Sequence, residues 1–290
     1  MAIQLGRRRA RHRPRGGHCR PAARRPGGSG HHLEVGALSG RVSCRPMRTA
    51  IVIPARDEQD AIGAVVHDAR TAVPDARVIV VDDASRDLTG VRAGEAGAHV
   101  LRLRTHAGYA GALRAGYRTA LEEPLDVILQ MDGDGQHRAG DLPRLMDALG
   151  AGDLVLGSRF MGPSPGYRIP PLRRAGMAAC RWMAREVGGL GLTDPTSGLR
   201  ALRPSLATRL ADEGFPSGLT ETSLLIHLHR AGFRITEIPV LMRASRGRSM
   251  HAGMAGATHL ARIAWAVLGQ ATGRTDDPAR APAPAPAART

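Results

Sequence analysis

Residues 127–137 read Val127-Ile128-Leu129-Gln130-Met131-Asp132-Gly133-Asp134-Gly135-Gln136-His137, a mostly apolar run that ends in two acids separated by one glycine. Apolar runs of this length bounded by turn residues are typical of buried strands. The acids would then lie at the carboxyl end of a strand, where open α/β sheets bind their ligands. Two adjacent carboxylates repel each other unless a cation lies between them, and hard divalent cations prefer oxygen ligands. The stretch therefore predicts a metal site that holds nucleotide phosphates, although Asp and Gly also form ordinary turns.

The basic charge of this 290-residue chain lies mainly in a leader at residues 1–46. The formal net charge is +15, but the leader has eleven arginines and one acid, so it carries +10 and leaves +5 for the rest. The leader is rich in Arg, Gly and Pro, lacks hydrophobic periodicity and is predicted to be disordered. An Arg-rich leader also fits a transit peptide or a nucleic-acid arm. Because strand-like sequence begins directly after Met47, we interpret Met47 as the true start.

Cysteine usage and hydropathy point to a reducing compartment. Cys19 and Cys44 lie in the leader, which leaves Cys180 alone in the core and allows no disulfide framework there. No run of about 18 uncharged apolar residues occurs, so the sequence predicts no transmembrane helix. Few aromatic side chains are available to stack on bases, and the charge lies in the leader, so we expect no nucleic-acid partner.

Short apolar runs alternate with helical patterns after Met47. The runs predict five strands, at residues 49–53, 77–81, 99–103, 126–131 and 153–158. Helical spacing predicts helices between them, at residues 62–72, 91–96, 108–121 and 141–149. This alternation predicts an α/β fold with a mostly parallel sheet and helices on both faces.

Acidic residues follow three of these strands. Glu58 follows the first, Asp82 and Asp83 the second, and Asp132 and Asp134 the fourth. Right-handed crossovers place the carboxyl ends of such strands on one edge of the sheet. A chance turn does not recruit acids from three separate strand ends, so this convergence strengthens the prediction of a metal and nucleotide site.

The second half of the chain has a different pattern. It predicts a loop at 161–171, a helix with a basic and an apolar side at 172–190, a polar loop at 193–200, a helix at 219–231 and a strand within 233–241. We expect one folded domain over residues 47–250, an amphipathic helix within 251–273 and a disordered Ala/Pro-rich tail at 274–290.

Several ordered motifs resemble those of family 2 glycosyltransferases with the GT-A fold. They are Pro54-Ala55-Arg56-Asp57-Glu58, Val81-Asp82-Asp83-Ala84-Ser85-Arg86-Asp87-Leu88-Thr89 and Met131-Asp132-Gly133-Asp134-Gly135-Gln136-His137. Three more resemble the dolichol-phosphate (polyprenyl-phosphate) mannosyltransferase branch: Gly157-Ser158-Arg159-Phe160, Thr196-Ser197-Gly198-Leu199-Arg200-Ala201 and Arg246-Gly247-Arg248-Ser249. The resemblance covers about residues 49–250 and implies a single Rossmann-like GT-A domain that transfers a sugar with inversion.

The resemblance also implies roles for individual residues. The nucleotide pocket would be lined by Pro54, Arg56, Glu58, Asp82, Asp83, Ser85, Asp132 and Gly133. Mg²⁺ or Mn²⁺ would be held on the diphosphate by Asp132, Asp134 and Gln136. The acceptor phosphate would be bound by Arg159, Ser197, Gly198, Arg200, Arg246 and Arg248. Catalysis would depend most on Asp134, Arg159 and Arg200. His106 stands where relatives usually have Asn.

The donor would be a nucleotide sugar that carries GDP or UDP. Two classes of acceptor fit the sequence. A polyprenyl phosphate is already an anion near neutral pH, so it needs cations to position it rather than a base, and arginine binds phosphate through a bidentate fork. A sugar or other hydroxyl acceptor, as in cell-surface glycan synthesis, would need a general base, for which Asp194 and Glu221 are the candidates. The arginines favour the lipid phosphate, with mannose as the favoured sugar.

A lipid acceptor implies contact with a membrane. The predicted helices at 172–190 and 253–269 are basic and amphipathic, so both could lie on a bilayer, although both could equally pack on the sheet. We expect a cytoplasmic protein bound peripherally to the cytoplasmic face of the membrane. An NAD-dependent oxidoreductase is excluded, because no Gly-x-Gly-x-x-Gly turn follows the first strand.

Overall fold

The computed structural model describes residues 47–162, 169–212 and 221–243, which form an α/β domain around one seven-stranded sheet. The strands are β1 Thr49–Ala55, β2 Arg77–Asp82, β3 His99–Arg102, β4 Val127–Gln130, β5 Leu154–Ser158, β6 Arg200–Leu202 and β7 Ile235–Pro239. Their order across the sheet is β3-β2-β1-β4-β6-β5-β7. Only β6 pairs antiparallel with its neighbours, so the predicted mostly parallel sheet is confirmed.

Seven α-helices connect these strands in the described residues. They are α1 Ile62–Ala72, α2 Thr89–Glu95, α3 Gly108–Ala120, α4 Leu142–Ala148, α5 Pro171–Glu186, α6 Pro204–Ala211 and α7 Glu221–Arg230. Short 3₁₀ turns at Ala139–Asp141 and Leu149–Ala151 flank α4. None of these helices combines the length and apolarity needed to cross a bilayer.

The strands β1, β2, β4 and β5 are buried on both faces, which explains why they read as largely apolar runs, whereas the edge strands β3 and β7 are partly exposed. In β1 the side chains alternate between two cores. Ile51 and Ile53 pack with residues of α1 and α4, whereas Ala50 and Val52 pack with residues of α3 and α6. Because successive side chains of a strand point to opposite faces, a strand between two helical layers must be apolar at every position.

Strand β1 continues two residues beyond its predicted end, through Pro54 to Ala55. Proline lacks a backbone N–H, so it is normally excluded from the middle of a sheet. Here the pairing of β1 with β4 ends at Val52 and Gln130, whereas the pairing with β2 continues to Ala55 and Asp82. At Pro54, β1 therefore has no partner strand on its β4 side. The missing N–H of Pro54 does not cost the sheet a hydrogen bond.

Strand β6 was not predicted as a strand, because the sequence indicated only a polar loop leading into Ala201 and Leu202. Three residues are too few to display a strand period, and this strand forms because β4 and β5 enclose it. Its antiparallel direction has a consequence for the site. Arg200, its first residue, lies at the same edge as the last residues of the parallel strands.

The remaining differences between prediction and structure concern the ends of helices and strands. The predicted helix at 172–190 ends at Glu186, followed by Gly188 and by Gly189 with a positive φ of 66°. Left-handed glycines of this kind end helices. The predicted strand within 233–241 covers Ile235–Pro239. The leader, Arg246, Arg248, the predicted helix at 251–273 and the tail at 274–290 lie outside the described residues.

Helix α3 packs closely on the sheet because Gly116 has no side chain. A Cβ at this position would overlap Cγ1 of Val52 and lie 3.0 Å from Cγ2 of Val81. Gly116→Ala should therefore lower the free energy of unfolding by about 1–3 kcal/mol, as overpacking does in other cores. Gly94→Ala in α2 is the control, since its Cβ would meet Val100 at an ordinary 3.8 Å. Equal urea denaturation midpoints for the two variants would contradict this packing.

Candidate active site

The acids predicted to converge do lie together at the carboxyl edge of the sheet. Asp82 ends β2, Asp132 and Asp134 follow β4, and Glu58 follows β1. These carboxylates are close enough to interact, since, besides burial, the negative charges of Asp134 and Asp132 both raise the pKa of Glu58. The prediction of a shared acidic edge is therefore confirmed, and each acid can be placed by its partners.

Asp132 is held on three sides. Its Oδ1 accepts a hydrogen bond of 2.8 Å from the hydroxyl of Tyr109, and its Oδ2 lies 3.1 Å from Nε2 of the buried His137. The backbone of Gly198 covers the third side so closely that a Cβ there would overlap both carboxylate oxygens. Burial alone would raise the pKa of Asp132, but the hydrogen bonds and charge of His137 and Tyr109 outweigh it and lower the pKa to about 2.

Asp134 is oriented by Gln136. The backbone N–H of Gln136 donates to Oδ1 of Asp134 at 3.0 Å, and its side-chain amide donates to Oδ2 at 2.6 Å. Burial and the neighbouring charge of Asp132 raise the pKa of Asp134. Gln136 thus lies beside the acid pair as expected, and its role as a direct metal ligand stays a prediction.

The donor set at this edge fits a divalent cation that is shared with a substrate. No group of three or more His, Cys, Asp or Glu side chains in the described parts of the chain could hold a metal ion by itself. Mg²⁺-type ions in phosphate-transfer sites commonly use one or two carboxylates and complete their shell with substrate phosphates and water. Asp132 is ionised at neutral pH, and the raised pKa of Asp134 would fall if a cation lay beside it.

A small cavity opens next to these acids, where the nucleotide was predicted. It is lined by Pro54, Ala55, Arg56, Asp83, His106, Tyr109 and Ala112. Asp83 forms its floor and caps α3: the backbone N–H groups of Ala107 and Gly108 donate to its carboxylate at 2.7 and 2.9 Å. Nδ1 of His106 lies 2.7 Å from the same carboxylate, so His106 makes a polar contact with Asp83.

The loops after β1 and β2 are tied together by side-chain to backbone bonds. The N–H of Ser85 donates to Asp82 at 2.9 Å, and the hydroxyl of Ser85 accepts from the N–H of Asp57 at 3.1 Å. The N–H of Glu58 donates to the hydroxyl of Thr89 at 2.8 Å. These bonds join the loop after β1 to the loop after β2, with Ser85 holding Asp57 and Thr89 holding Glu58.

Arg159 and Asp194 form a buried ion pair. The Nε and Nη2 atoms of Arg159 donate to the two oxygens of Asp194 at 2.6 and 2.7 Å, and its backbone N–H adds a third bond at 3.0 Å. Asp194 is fully buried and Arg159 is nearly so. The bidentate fork of Arg159, which the sequence assigned to the acceptor phosphate, is directed at a protein carboxylate. The same bonds commit Asp194, a candidate base in the hydroxyl-acceptor hypothesis, to the ion pair.

The polar loop before β6 is held by further bonds. Glu237 on β7 accepts from the N–H groups of Thr193 and Asp194 at 2.6 and 2.7 Å. The hydroxyl of the buried Ser197 donates to the carbonyl of Gly157 at 2.6 Å. Ser197, predicted to donate to the acceptor, therefore uses its one hydroxyl proton to close this loop.

Arg200 differs from Arg159 because it keeps hydrogen-bonding capacity. Its Nε donates to the carbonyl of Ser197 at 2.9 Å, whereas its Nη2 is buried and has no hydrogen-bond partner within the part of the chain that the structure describes. Oε1 of Glu221, at the start of α7, lies 3.9 Å from Nη2, and the charge of Asp132 also acts on this guanidinium. Burial raises the pKa of Glu221 to about 7, against the lowering effect of Arg200.

Comparison with known proteins identifies this arrangement. Residues 50–206 match the model of glycosyl transferase family 2. The chain belongs to this family. It is 37% identical over 202 residues to the undecaprenyl-phosphate mannosyltransferase of Micrococcus luteus, a match that covers 67% of this chain and 83% of that protein. It is 32% identical over 218 residues to the polyprenol monophosphomannose synthase of Mycolicibacterium smegmatis, covering 71% and 82% of the two chains.

The fold of this glycosyltransferase also has solved counterparts. One is glucosyl-3-phosphoglycerate synthase from Mycobacterium tuberculosis in complex with Mn²⁺ and uridine-diphosphate-glucose. It superposes with a TM-score of 0.60 at 25% identity, over 80% of this chain and 81% of that one. The family, the activity as a glycosyltransferase and the GT-A-like fold are all as the sequence predicted.

Sequence reasoning assigned no role to four polar residues of the site. Tyr109 and His137 hold Asp132, while Gln130 and Tyr117 lie behind Tyr109 in a buried hydrogen-bonded chain. One signal was available: Gln130 interrupts an otherwise apolar strand. A buried amide needs partners for both its donors and its acceptor, so it indicates a polar network even without a structure.

Glu58 makes the stability of this glycosyltransferase depend on pH. Burial, together with the charges of Asp134, Asp87 and Asp132, raises its pKa from 4.5 to about 7. The folded protein therefore holds this proton more tightly than the unfolded chain, so the stabilisation is complete below pH 4.5 and is lost as the pH rises through 7. Glu58→Gln should melt a few degrees above the wild type at pH 8 and show little difference at pH 4.5.

The measurement is a series of melting temperatures between pH 4.5 and pH 8. Glu95→Gln, at an exposed position of α2, controls for the simple loss of an acid. A difference between Glu58→Gln and wild type that does not grow with pH would show that the acidic cluster exerts no repulsion on Glu58.

Proposed function

We propose that this glycosyltransferase moves a hexose, with mannose favoured, from a nucleotide-sugar donor to a polyprenyl monophosphate. The observation that carries the proposal is the buried Nη2 of Arg200, which has no hydrogen-bond partner among the described residues and lies 3.9 Å from Oε1 of Glu221. A buried donor without a partner costs free energy, and an anionic ligand on the acceptor side of the metal pair would satisfy it.

The proposed reaction does not require a general base. The phosphate oxygen of the lipid forms the bond to the anomeric carbon while the bond from that carbon to the nucleoside diphosphate breaks. Since the second pKa of a phosphate monoester is about 6, the attacking oxygen carries no proton at neutral pH. Arg200 binds and orients this phosphate, and Arg159 contributes by holding the loop of Asp194 in place through their ion pair.

The donor would lie over the cavity and the acid pair. Asp83, Pro54 and Arg56 line the cavity and would contact the base and ribose together with Glu58, Asp82 and Ser85. Gly133, between the two acids, would lie beside the diphosphate. Asp132 and Asp134 would hold Mg²⁺ or Mn²⁺. The cation would neutralise the negative charge that develops on the leaving diphosphate. GDP and UDP donors both fit this role. The names of the two mannosyltransferase relatives support mannose.

A hydroxyl acceptor is the second candidate, and Glu221 is the observation that favours it. Asp194 is committed to Arg159, which leaves Glu221 as the candidate base within the described residues. With a pKa of about 7, Glu221 would be half ionised at neutral pH, as suits a general base. Asp194→Asn cannot test this candidate, because breaking a buried ion pair costs about 3–5 kcal/mol of stability by itself.

We also propose that the folded unit spans residues 47–250 and lies peripherally on the cytoplasmic face of the membrane. Helix α5 is the surface that supports this proposal. Arg173 in its first turn is near enough to act electrostatically on Asp134, so the helix begins at the site. Farther along, Trp182 is 62% exposed, and Arg174 and Arg185 are exposed with it. Exposed Trp and Arg side chains on one helix are typical of an interfacial helix.

A transfer assay tests the acceptor. The protein, Mn²⁺ and labelled GDP- or UDP-sugars are mixed with polyprenyl phosphate, and the label in organic-soluble material is counted. Polyprenol, the same lipid without phosphate, is the matched control and should accept nothing. Arg200→Gln should raise the acceptor KM about tenfold or more, with the donor KM little changed, because a charge-assisted bond to phosphate is lost. The acceptor KM of Arg200→Lys, which keeps the charge, should lie between the values for the wild type and Arg200→Gln.

Glu221→Gln separates the two acceptors. With polyprenyl phosphate it should keep kcat within a few-fold, whereas removing a general base lowers kcat by about 10²–10⁴. No transfer to lipid from any nucleotide sugar would contradict the proposed function. Transfer to polyprenol or to a free sugar that is abolished by Glu221→Gln would establish the second candidate instead.

A sedimentation assay tests the membrane surface. The protein should co-sediment with vesicles that contain anionic lipid at low salt and be released at high salt. Trp182→Ala combined with Arg174→Gln and Arg185→Gln should weaken binding strongly, since each basic residue near an anionic surface contributes about 1 kcal/mol. Arg92→Gln on α2 controls for lost charge elsewhere. Wild-type protein that stays in the supernatant at low salt would refute the membrane proposal.

A further inference from the structure

A hydrogen-bonded chain runs through the interior from helix α3 to the acid pair. The hydroxyl of Tyr117 donates to Oε1 of Gln130, the last residue of β4. Nε2 of Gln130 donates to the hydroxyl of Tyr109 and to the carbonyl of Gly198, both at 3.0 Å. The hydroxyl of Tyr109 then donates to Asp132 at 2.8 Å. Gln130 is fully buried, so its bonds to Tyr117 and Gly198 are shielded from water, whereas the bonds of Tyr109 are partly buried.

The direction of every bond in this chain is determined. The carbonyl of Gly198 can only accept, so the side of the Gln130 amide that faces it must be the NH₂ group. That group also donates to Tyr109, whose single hydroxyl proton is then left for the carboxylate of Asp132. Tyr117 supplies the remaining proton to Oε1. Both amide donors and the amide oxygen of Gln130 are used, which is the condition under which a buried polar network specifies one geometry.

Gln130 thereby connects the two halves of the site. Through Tyr109 it reaches Asp132 on the metal side, and through the carbonyl of Gly198 it reaches the loop that leads into Arg200 on the acceptor side. The same two parts also touch directly, because Gly198 packs against the carboxylate of Asp132. A shift of this loop would therefore change the position of the carboxylate, and the reverse holds as well.

We propose that Gln130 and Tyr109 are positioning residues that lock the Asp132 carboxylate and the acceptor-side loop at Gly198 into one hydrogen-bonded unit. The metal side of this inference rests on the proposed function, since it takes Asp132 as a ligand of the donor's cation. Groups that orient a ligating carboxylate commonly affect metal affinity about 10–100-fold when removed. Gln130 acts through Tyr109, Asp132 and Gly198. Tyr109 also lines the nucleotide cavity, and the positioning role proposed for it is exerted by its hydroxyl on Asp132.

Two tyrosines on one helix provide a matched pair of variants. Tyr109 and Tyr117 both lie on α3, and both donate or accept at Gln130, but only Tyr109 reaches Asp132. Tyr109→Phe removes the hydroxyl that donates to Asp132. Tyr117→Phe removes the hydroxyl that donates to Gln130 at the other end of the hydrogen-bonded chain. Gln130→Met keeps the side-chain volume and removes both links.

The first measurement is calorimetric binding of GDP and UDP at varied Mn²⁺, which needs no acceptor. Tyr109→Phe and Gln130→Met should raise the Mn²⁺ requirement for nucleotide binding about tenfold. Tyr117→Phe should bind like the wild type. Melting temperatures are recorded for all three variants, so that a loss of binding is compared at equal folded fraction. Equal Mn²⁺ requirements for Tyr109→Phe and Tyr117→Phe would overturn the proposal and leave the chain a structural one.

The second measurement separates KM from kcat in the transfer assay. Gln130→Met should raise the acceptor KM in addition to the Mn²⁺ requirement, because it also releases Gly198, whereas Tyr109→Phe should change the Mn²⁺ requirement alone. An unchanged acceptor KM in Gln130→Met would overturn the acceptor side of the proposal. If the wild type binds Mn²⁺ and nucleotide but transfers nothing to polyprenyl phosphate, the proposed function fails while the calorimetry still decides the positioning role.

Discussion

Repulsion among carboxylates at one edge of the sheet is the constraint on which the site depends. Parallel strands deliver their carboxyl ends to one edge, so every acid that follows a strand adds negative charge there. Most of these charges are compensated inside the protein. Asp83 accepts the N–H groups at the start of α3, Asp132 accepts from Tyr109 and His137, and Asp194 is paired with Arg159. Glu58 and Asp134 are not fully compensated, and the pKa of each is raised. A cation brought by the substrate would relieve both.

The single antiparallel strand provides the opposite charge. If β6 ran parallel to its neighbours, Arg200 would lie at the far edge of the sheet, remote from the acids. Because it runs antiparallel between β4 and β5, its first residue pairs with Gln130, two residues before Asp132, and Gly198 packs on the Asp132 carboxylate. The topology thus places a cation at the same edge of the sheet as the acids, and only Leu199 separates Gly198 from Arg200.

The fold and the donor side could be predicted from sequence because their signals are local. Apolar runs and helical spacing identified all the parallel strands, and acids directly after strands identified the edge. What could not be predicted depends on pairing between distant residues. Strand β6 exists because β4 and β5 enclose it, and its three residues carry no period of their own. The partners of Asp132 come from α3 and from the turn after β4, and no spacing in the sequence relates Tyr109 to Asp132.

The two arginines of the acceptor motifs illustrate the same limit. Arg159 and Arg200 both occupy positions that resemble phosphate-binding ones, and sequence alone treats them alike. The structure separates them by a partner 35 residues away, because Asp194 takes the Nε and Nη2 fork of Arg159, whereas Oε1 of Glu221 lies 3.9 Å from Nη2 of Arg200, too far for a hydrogen bond. An arginine whose fork is filled stabilises the loop, and one whose buried nitrogen has no hydrogen-bond partner among the described residues can bind an anion that arrives with the substrate. Under the proposed function, Arg200 therefore binds the acceptor phosphate, and Arg159 holds the loop of Asp194 through their ion pair.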